Sequence, residues 1–389
     1  MSRPSPARTL TPSERDWLRV RSYLAEHRHE LSVAAAGGYP SGARVVGTPL
    51  LAAPGWRPPS PVPLQDVSLE LDTPAAGLSG PATPPVGAAH PDPAAAPLPE
   101  RADGTRYRRY SDTMRELAAP RVFENRVTYR LSEAALAPGR PRLVFTTGRY
   151  FDGIDVGEAA AHEYAAARLN GQPPGPPEPP GLRGQVGDPC DLRRRPANLA
   201  ISTLTLRLDR KAGRASFLLH WRDPAKVGHA GGLYQVIPVG VFQPAGEEAW
   251  NTRHDFSLWR CMIREFAEEL RGDSEDYDTH RGPLDYDSWP LARQLTDALG
   301  RGQIRVWCLG LGVDPLTYAT DLLTVAVIDS DTFDEVFSLN PRRNSEGSVL
   351  AAREFAAHVI DRTIDGEPMQ AAGAAVLRLA WRYRETLGG

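Results

Sequence analysis

Arg264-Glu265-Phe266-Ala267-Glu268-Glu269-Leu270-Arg271-Gly272 is the stretch on which the reading of this chain turns. Its residues are mostly good helix formers, and the apolar spacing predicts a helix from about Asp255 to Leu270. In a helix, side chains three and four residues apart share a side, so Glu265, Glu268 and Glu269 project together. Like charges in such a group repel unless water bathes them or a divalent cation sits among them. Mg²⁺ suits such a group, because it takes oxygen ligands in octahedral geometry and completes its shell with water and phosphate. Glu265, Glu268 and Glu269 are therefore candidate metal ligands, and Arg264 a candidate partner that holds one carboxylate in place. A plain solvated acidic face is the competing reading of the same residues.

Outward from this helix, strands are expected at Leu199 to Leu208, Ala215 to Trp221 and Leu233 to Phe242, the first two joined as a hairpin by the turn at 209–213. Beyond it the pattern predicts strands at Ile304 to Leu309 and Leu322 to Ile328, and helices near 331–338, 349–361 and 371–386. Strands interleaved with helices in this order predict an α/β/α sandwich on a mixed sheet. Upstream, a helix over 111–118, strands near 127–131 and 143–145, and a helix over 156–169 suggest a companion α/β segment at 105–197, with the Pro-rich loop 171–180 inside it. Thirteen prolines between Ala52 and Pro99 make 51–104 an expected linker, partly disordered from Thr73 onward, while Gly55-Trp56 and Val62 to Leu71 carry enough apolar residues to lie equally well along a folded surface. Residues 1–50 form an N-terminal segment with one helix over 11–31, opened by Thr11, Pro12 and Glu14 at capping-box spacing.

Composition removes several classes of function. Of 389 residues, 45 are Lys or Arg and 48 Asp or Glu, a net charge of −3 that supplies no basic field for nucleic acid. Lys211 and Lys226 are the only lysines and neither sits in a GxxxxGK[ST] loop, which excludes P-loop phosphoryl transfer. Cys190, Cys261 and Cys308 form neither a disulfide framework nor a zinc spacing. With no apolar stretch near 18 residues and no signal-peptide core, the expectation is a cytoplasmic protein with no membrane partner.

The glutamate stretch resembles the second half of the Nudix box, GX5EX7REUXEEXGU, at Arg264, Glu265, Glu268 and Glu269. The first half departs from it: Trp250 and Phe256 occupy the box's Gly and Glu positions, and Arg271 precedes Gly272 where the later Gly belongs. Gly240, in Ile237-Pro238-Val239-Gly240, is similar to the strand-loop glycine that opens the box, at the cost of an insertion. The resemblance implies a Nudix-like fold over 198–389 and Mg²⁺ or Mn²⁺ on Glu265, Glu268 and Glu269. Glu265 and Glu269 would be catalytic, Arg264 and Gly240 structural. The implied activity is binding and hydrolysis of a nucleotide-type small molecule, a nucleoside diphosphate linked to another group. The wider chain, with YSDTMRELAAPRVFENRVTYRL and RYFDGIDVGEAAAHEYAA, resembles Nudix-like modules of bacterial helix-turn-helix regulators, here without the DNA-binding head. That implies an alternative: a catalytically silent sensor or scaffold acting through a protein partner, with direct DNA binding disfavoured.

Nudix sites often recruit a further carboxylate from a distant loop; Asp314 and Glu346 are the candidates, against ordinary turn capping. Tyr234, Trp307 and Tyr318 are candidate stacking aromatics, with core packing favoured. His162-Glu163 lacks the second His of HExxH and reads as structural. Arg193-Arg194-Arg195 reads as a solvated loop, and Leu309-Gly310-Leu311-Gly312 lacks the third glycine of a dinucleotide fingerprint.

Overall fold

The structure is a computed structural model, which describes residues 9–72, 91–136, 139–176, 181–223, 231–274, 276–337, 342–343 and 347–388. It opens with α1 (Pro12–Glu26) and α2 (Arg28–Ala36). The expected capping box is formed, Glu14 N donating to Thr11 Oγ1 at 3.1 Å and Thr11 N to Glu14 Oε2 at 2.8 Å. The single helix expected to Leu31 is instead broken at His27, whose φ of −114° and ψ of 19° leave the helical region.

The expected linker is, over 51–72, part of the fold. Strand β1 (Val62–Pro63) and β2 (Ser68–Leu71) lie in two different sheets, and Trp56, Leu64 and Val67 are buried. Next come α3 (Tyr110–Leu117), β3 (Val127–Ala135), β4 (Arg142–Arg149) and a short α4 (Tyr150–Gly153). A π-helical turn at Ile154–Glu158 leads into α5 (Ala159–Leu169), followed by α6 (Leu182–Val186). Strands β5 (Leu199–Asp209) and β6 (Arg214–Phe217) make the expected hairpin. They are followed by β7 (His220–Arg222), β8 (Tyr234–Gln235) and β9 (Val239–Val241).

The expected helix over 255–270 is a more broken element: α7 (Ala249–His254), α8 (Leu258–Glu265) and a second π-helical turn at Phe266–Arg271. Ser257 caps α8 by accepting from Arg260 N, and Gly272 ends it in the left-handed region at φ 77°. Then follow α9 (Pro290–Gly300), β10 (Ile304–Val313), β11 (Thr320–Asp329) and α10 (Ser330–Val336). Short strands β12 (Arg342–Arg343) and β13 (Gly347–Val349) follow, and β14 (Arg353–Glu354) occupies the start of the expected helix over 349–361, which forms later as α11 (Ala357–Gly366). The chain closes with α12 (Ala371–Arg382) and α13 (Arg384–Gly388).

The fold is α/β. Its largest sheet runs β1-β10-β11-β5-β6-β14, with β9 on the same edge of β5 as β6 but at the other end. β11 and β5 are parallel and the other pairs antiparallel, so the sheet is mixed. Helix α12 packs on its central strands, while α8, α9 and α10 pack along it as a second helical layer. A sheet β2-β4-β3 joins the main body through Tyr129 and Phe145, which pack with Phe242 and Phe256 at centroid distances of 4.4 to 5.5 Å. The two glycines of Leu309-Gly310-Leu311-Gly312 serve packing. A Cβ on Gly310 would meet the Trp56 carbonyl at 3.0 Å, and one on Gly312 would strike Leu50 at 2.2 Å.

Candidate functional site

A cavity of about 280 Å³ opens where β9, the N-terminal ends of β5 and β11, and the first π-turn meet. Glu265 and Glu268 line it on one side. Both π-helical turns border it, Ile154 to Glu158 directly and Phe266–Arg271 through Glu268. Such turns insert a residue into a helix and recur at functional sites. Neither was legible as a period in the sequence.

Each candidate residue has a defined place. Strand β9 pairs with β5, Gly240 opposite Ile201, and α8 runs over it. The Glu265 carboxyl group lies against Gly240, where a Cβ would stand only 1.9 Å from its carboxyl carbon. Glu268 Oε1 accepts a hydrogen bond from Tyr277 Oη at 2.6 Å. Burial, together with the negative charge of Glu268, pushes the Tyr277 hydroxyl far above its ordinary range, so it remains a donor. Glu269 is buried and accepts from the Val239 amide at 3.3 Å. It does not line the cavity. Among the described residues no group of three or more His, Cys, Asp or Glu side chains is arranged to hold a metal ion. The expected three-carboxylate set is thus divided: two members face the cavity, and the third fastens the helix to β9.

Arg264 is buried and donates to Tyr286 Oη and, at 2.5 Å, to the Gln243 carbonyl. Its ion-pair partner is Asp255 at 3.7 Å, and Asp255 also accepts from Tyr286 Oη and the Ala245 amide. Phe256, at the position of the box's upstream Glu, packs in the aromatic core, and the acid stands one residue earlier.

The other expected residues sort clearly. Asp314 does not line the cavity; its Oδ1 accepts from the amides of Leu316 and Thr317 and its Oδ2 from Ser32 Oγ, which is turn capping. That turn carries Thr317 to Thr320 to the cavity wall. Glu346 lies outside the described residues. Tyr318 borders the cavity with the guanidinium groups of Arg183 and Arg195 at 5.1 and 6.0 Å from its ring centroid, whereas Tyr234 and Trp307 do not line it. His162 is buried, stacked on Trp17 and within 3.0 Å of Tyr110 Oη. Arg195 is no solvated loop residue: it is buried, donating to the Pro189 carbonyl and to Thr320 Oγ1. Burial pushes the thiols of Cys190, Cys261 and Cys308 up to about 12, which removes thiolate chemistry near neutrality.

Sequence reasoning missed several residues of the lining. Glu158 lines the cavity and is held by Arg21 and by a bidentate pair with Arg28 at 2.9 and 3.0 Å, so α1 and α2 reach the cavity through it. Asn198, Gln235 and Gln370 also contribute.

No protein-family model and no curated protein matches the chain. Among solved structures it is similar to a NUDIX hydrolase from Alicyclobacillus acidocaldarius, at 18% identity and a TM-score of 0.27, over 47% of this chain and 90% of that one. No helix among the described residues is long and apolar enough to cross a membrane.

Proposed function

We propose that the cavity binds a nucleotide-type small molecule carrying a diphosphate, together with Mg²⁺ or Mn²⁺ held by Glu265 and Glu268, and that it hydrolyses the anhydride. The observation that carries this reading is that two carboxylates three residues apart on one helix line the same ligand-sized cavity. Their donor chemistry fits: a hard cation commonly takes one or two carboxylates and leaves its remaining positions to water and phosphate oxygens. When bound, such an ion neutralises charge on a diphosphate and makes water more acidic.

The chain's own residues do the positioning. Gly240 leaves room for the Glu265 carboxylate, and the Tyr277 hydroxyl fixes one Glu268 oxygen. Arg264, braced by Asp255 and Tyr286, anchors the helix from behind, and Glu269 ties it to β9. In this reading Glu265, which lines the cavity, accepts a proton from the attacking water.

One observation favours a second reading, a sensor that binds without turnover and signals through a protein partner: Glu269 is buried, accepts from the Val239 amide and does not line the cavity. Product release from nucleoside diphosphate derivatives with Mg²⁺ or Mn²⁺, compared with Glu268→Gln, separates the two. Turnover lost in the variant supports the hydrolase; Mg²⁺-dependent binding with no turnover supports the sensor.

A further inference from the structure

Three separate segments of the cavity lining are fastened by one turn of α2. Arg28 donates to both oxygens of Glu158, at 2.9 and 3.0 Å. His29 Nδ1 stands 3.0 Å from the Met369 carbonyl, one residue before Gln370; a carbonyl only accepts, so the ring carries a proton on Nδ1. Ser32 Oγ donates to Asp314 Oδ2 at 2.8 Å, and the other oxygen of that carboxylate holds the Leu316 and Thr317 amides at 2.9 and 2.8 Å. Glu158, Thr317 and Gln370 line the cavity, whereas Arg28, His29 and Ser32 do not. Residues 28 and 32 lie one above the other on a helix and residue 29 adjoins them, so a single element sets all three segments.

Little slack separates this helix from the lining. A Cβ on Gly157 would lie 2.2 Å from the Thr317 carbonyl oxygen, so the first π-turn and the turn after Asp314 meet backbone to backbone. The void bordered by Arg28, Ser32, Asp314, Thr317 and Gln370 is about 10 Å³, barely space for one water. A shift of α2 is therefore passed to the lining rather than absorbed. Much of the α1–α2 packing lies apart from the main core: Val20, Leu24, Leu31 and Ala35 cluster with Ala161 and Leu316. The three hydrogen-bonded contacts can thus be altered without emptying that cluster.

We infer that α2 regulates the cavity: Arg28, His29 and Ser32 are positioning residues that set its lining, and through them ligand occupancy is coupled to the placement of the N-terminal helices. This rests on the proposed reading of the cavity as a diphosphate site and adds how that site is controlled. Such coupling is reciprocal, so whatever grips α1 and α2 changes ligand affinity by the same factor as the ligand changes its grip.

The test compares the full chain with Ser32→Ala, His29→Phe, His29→Asn and Val20→Ala, each checked for folding by thermal melting. Hydrogen exchange without ligand, read by mass spectrometry, should quicken in Ser32→Ala over 314–320 and also over 154–158, which Ser32 does not touch, and stay unchanged over β9 and α8. Affinity for ADP-ribose or UDP-glucose with Mg²⁺, read by calorimetry, should fall at least about fivefold in Ser32→Ala and His29→Phe. His29→Asn, whose amide N–H replaces the Nδ1 donor, should restore it. Val20→Ala thins the cluster without touching the three contacts, and should lower Tm with affinity unchanged. Exchange at 154–158 that does not respond, full affinity in both weakened variants, or an equal loss of affinity in Val20→Ala overturns the inference. Should one of the two weakened variants fail to fold, the other decides. If neither probe binds the unaltered protein, the diphosphate reading fails, and exchange at 154–158 in Ser32→Ala, or over 368–372 and 154–158 in His29→Phe, decides the inference by itself.

Discussion

Gly240 and Glu265 occupy each other's space: a Cβ on Gly240 would lie 1.9 Å from the Glu265 carboxyl carbon. The obstruction is the far end of a flexible side chain, so Gly240→Ala should fold, with a stability change within about 1 kcal/mol. The carboxylate must swing away, and displacement of about 1 Å in a positioned group can cost about a hundredfold. The expected outcome is a Tm near that of the unaltered protein with affinity for Mg²⁺-pyrophosphate reduced at least about tenfold. Unchanged affinity, read by calorimetry, would show that Glu265 is not a ligand-contacting group.

Arg264 is the buried anchor of the same helix, paired with Asp255 and Tyr286. Replacing one member of a buried ion pair strands the other, so Arg264→Met should destabilise by about 3 to 5 kcal/mol. Urea denaturation reads this directly. A loss below about 1 kcal/mol would mean that Asp255 does not depend on the pair.

Trp17 tests whether the N-terminal helices belong to the core. Its ring is buried against Tyr110 and His162, and Arg21 and Arg28 on the same helices hold Glu158 at the cavity. Trp17→Ala should cost about 3 to 5 kcal/mol in a single cooperative transition. Separate melting of an N-terminal unit, with the rest unaffected, would contradict it.

The fold was legible wherever local pattern and tertiary role agree. The two strand runs in 199–221 and the turn between them at 209–213 encode the β5–β6 hairpin, and the spacing of Ala372, Val376, Leu379 and Ala380 encodes α12, which buries them. The segment 51–72 was legible as apolar enough to lie on the fold, but not as strands. Its residues form two-residue and four-residue strands that exist only because β10 and β4 offer them an edge, and no local period records that. Glu265 and Glu268 were legible as a pair from spacing alone. The diversion of Glu269 was not, because it depends on the Val239 amide 30 residues away. Gln235 and Gln370 are 135 positions apart and carry no motif, so only the contact between β8 and the start of α12 brings them to one cavity.

His162 gives the stability a pH signature. Burial first, and then the positive charge of Arg21, lower its pKa to about 3 from an unfolded value near 6.5. Below about pH 6.5 the unfolded chain takes up a proton that the folded chain refuses. The contribution is therefore fully present above pH 6.5 and is lost as the pH falls toward about 3, with a slope of up to about 1.4 kcal/mol per pH unit. Denaturation curves at pH 7.0 and 5.5 should show the drop, and His162→Gln should shallow it. An identical pH dependence in the variant would mean that His162 is protonated in the fold.

The most direct measurement is Mg²⁺-dependent binding and turnover of nucleoside diphosphate derivatives by the full chain beside Glu265→Gln and Glu268→Gln. Binding that requires the metal and falls at least about tenfold in each variant, with the fold retained, is the expected result. Metal-independent binding, or full affinity in both variants, would contradict the assignment of these two carboxylates to the site.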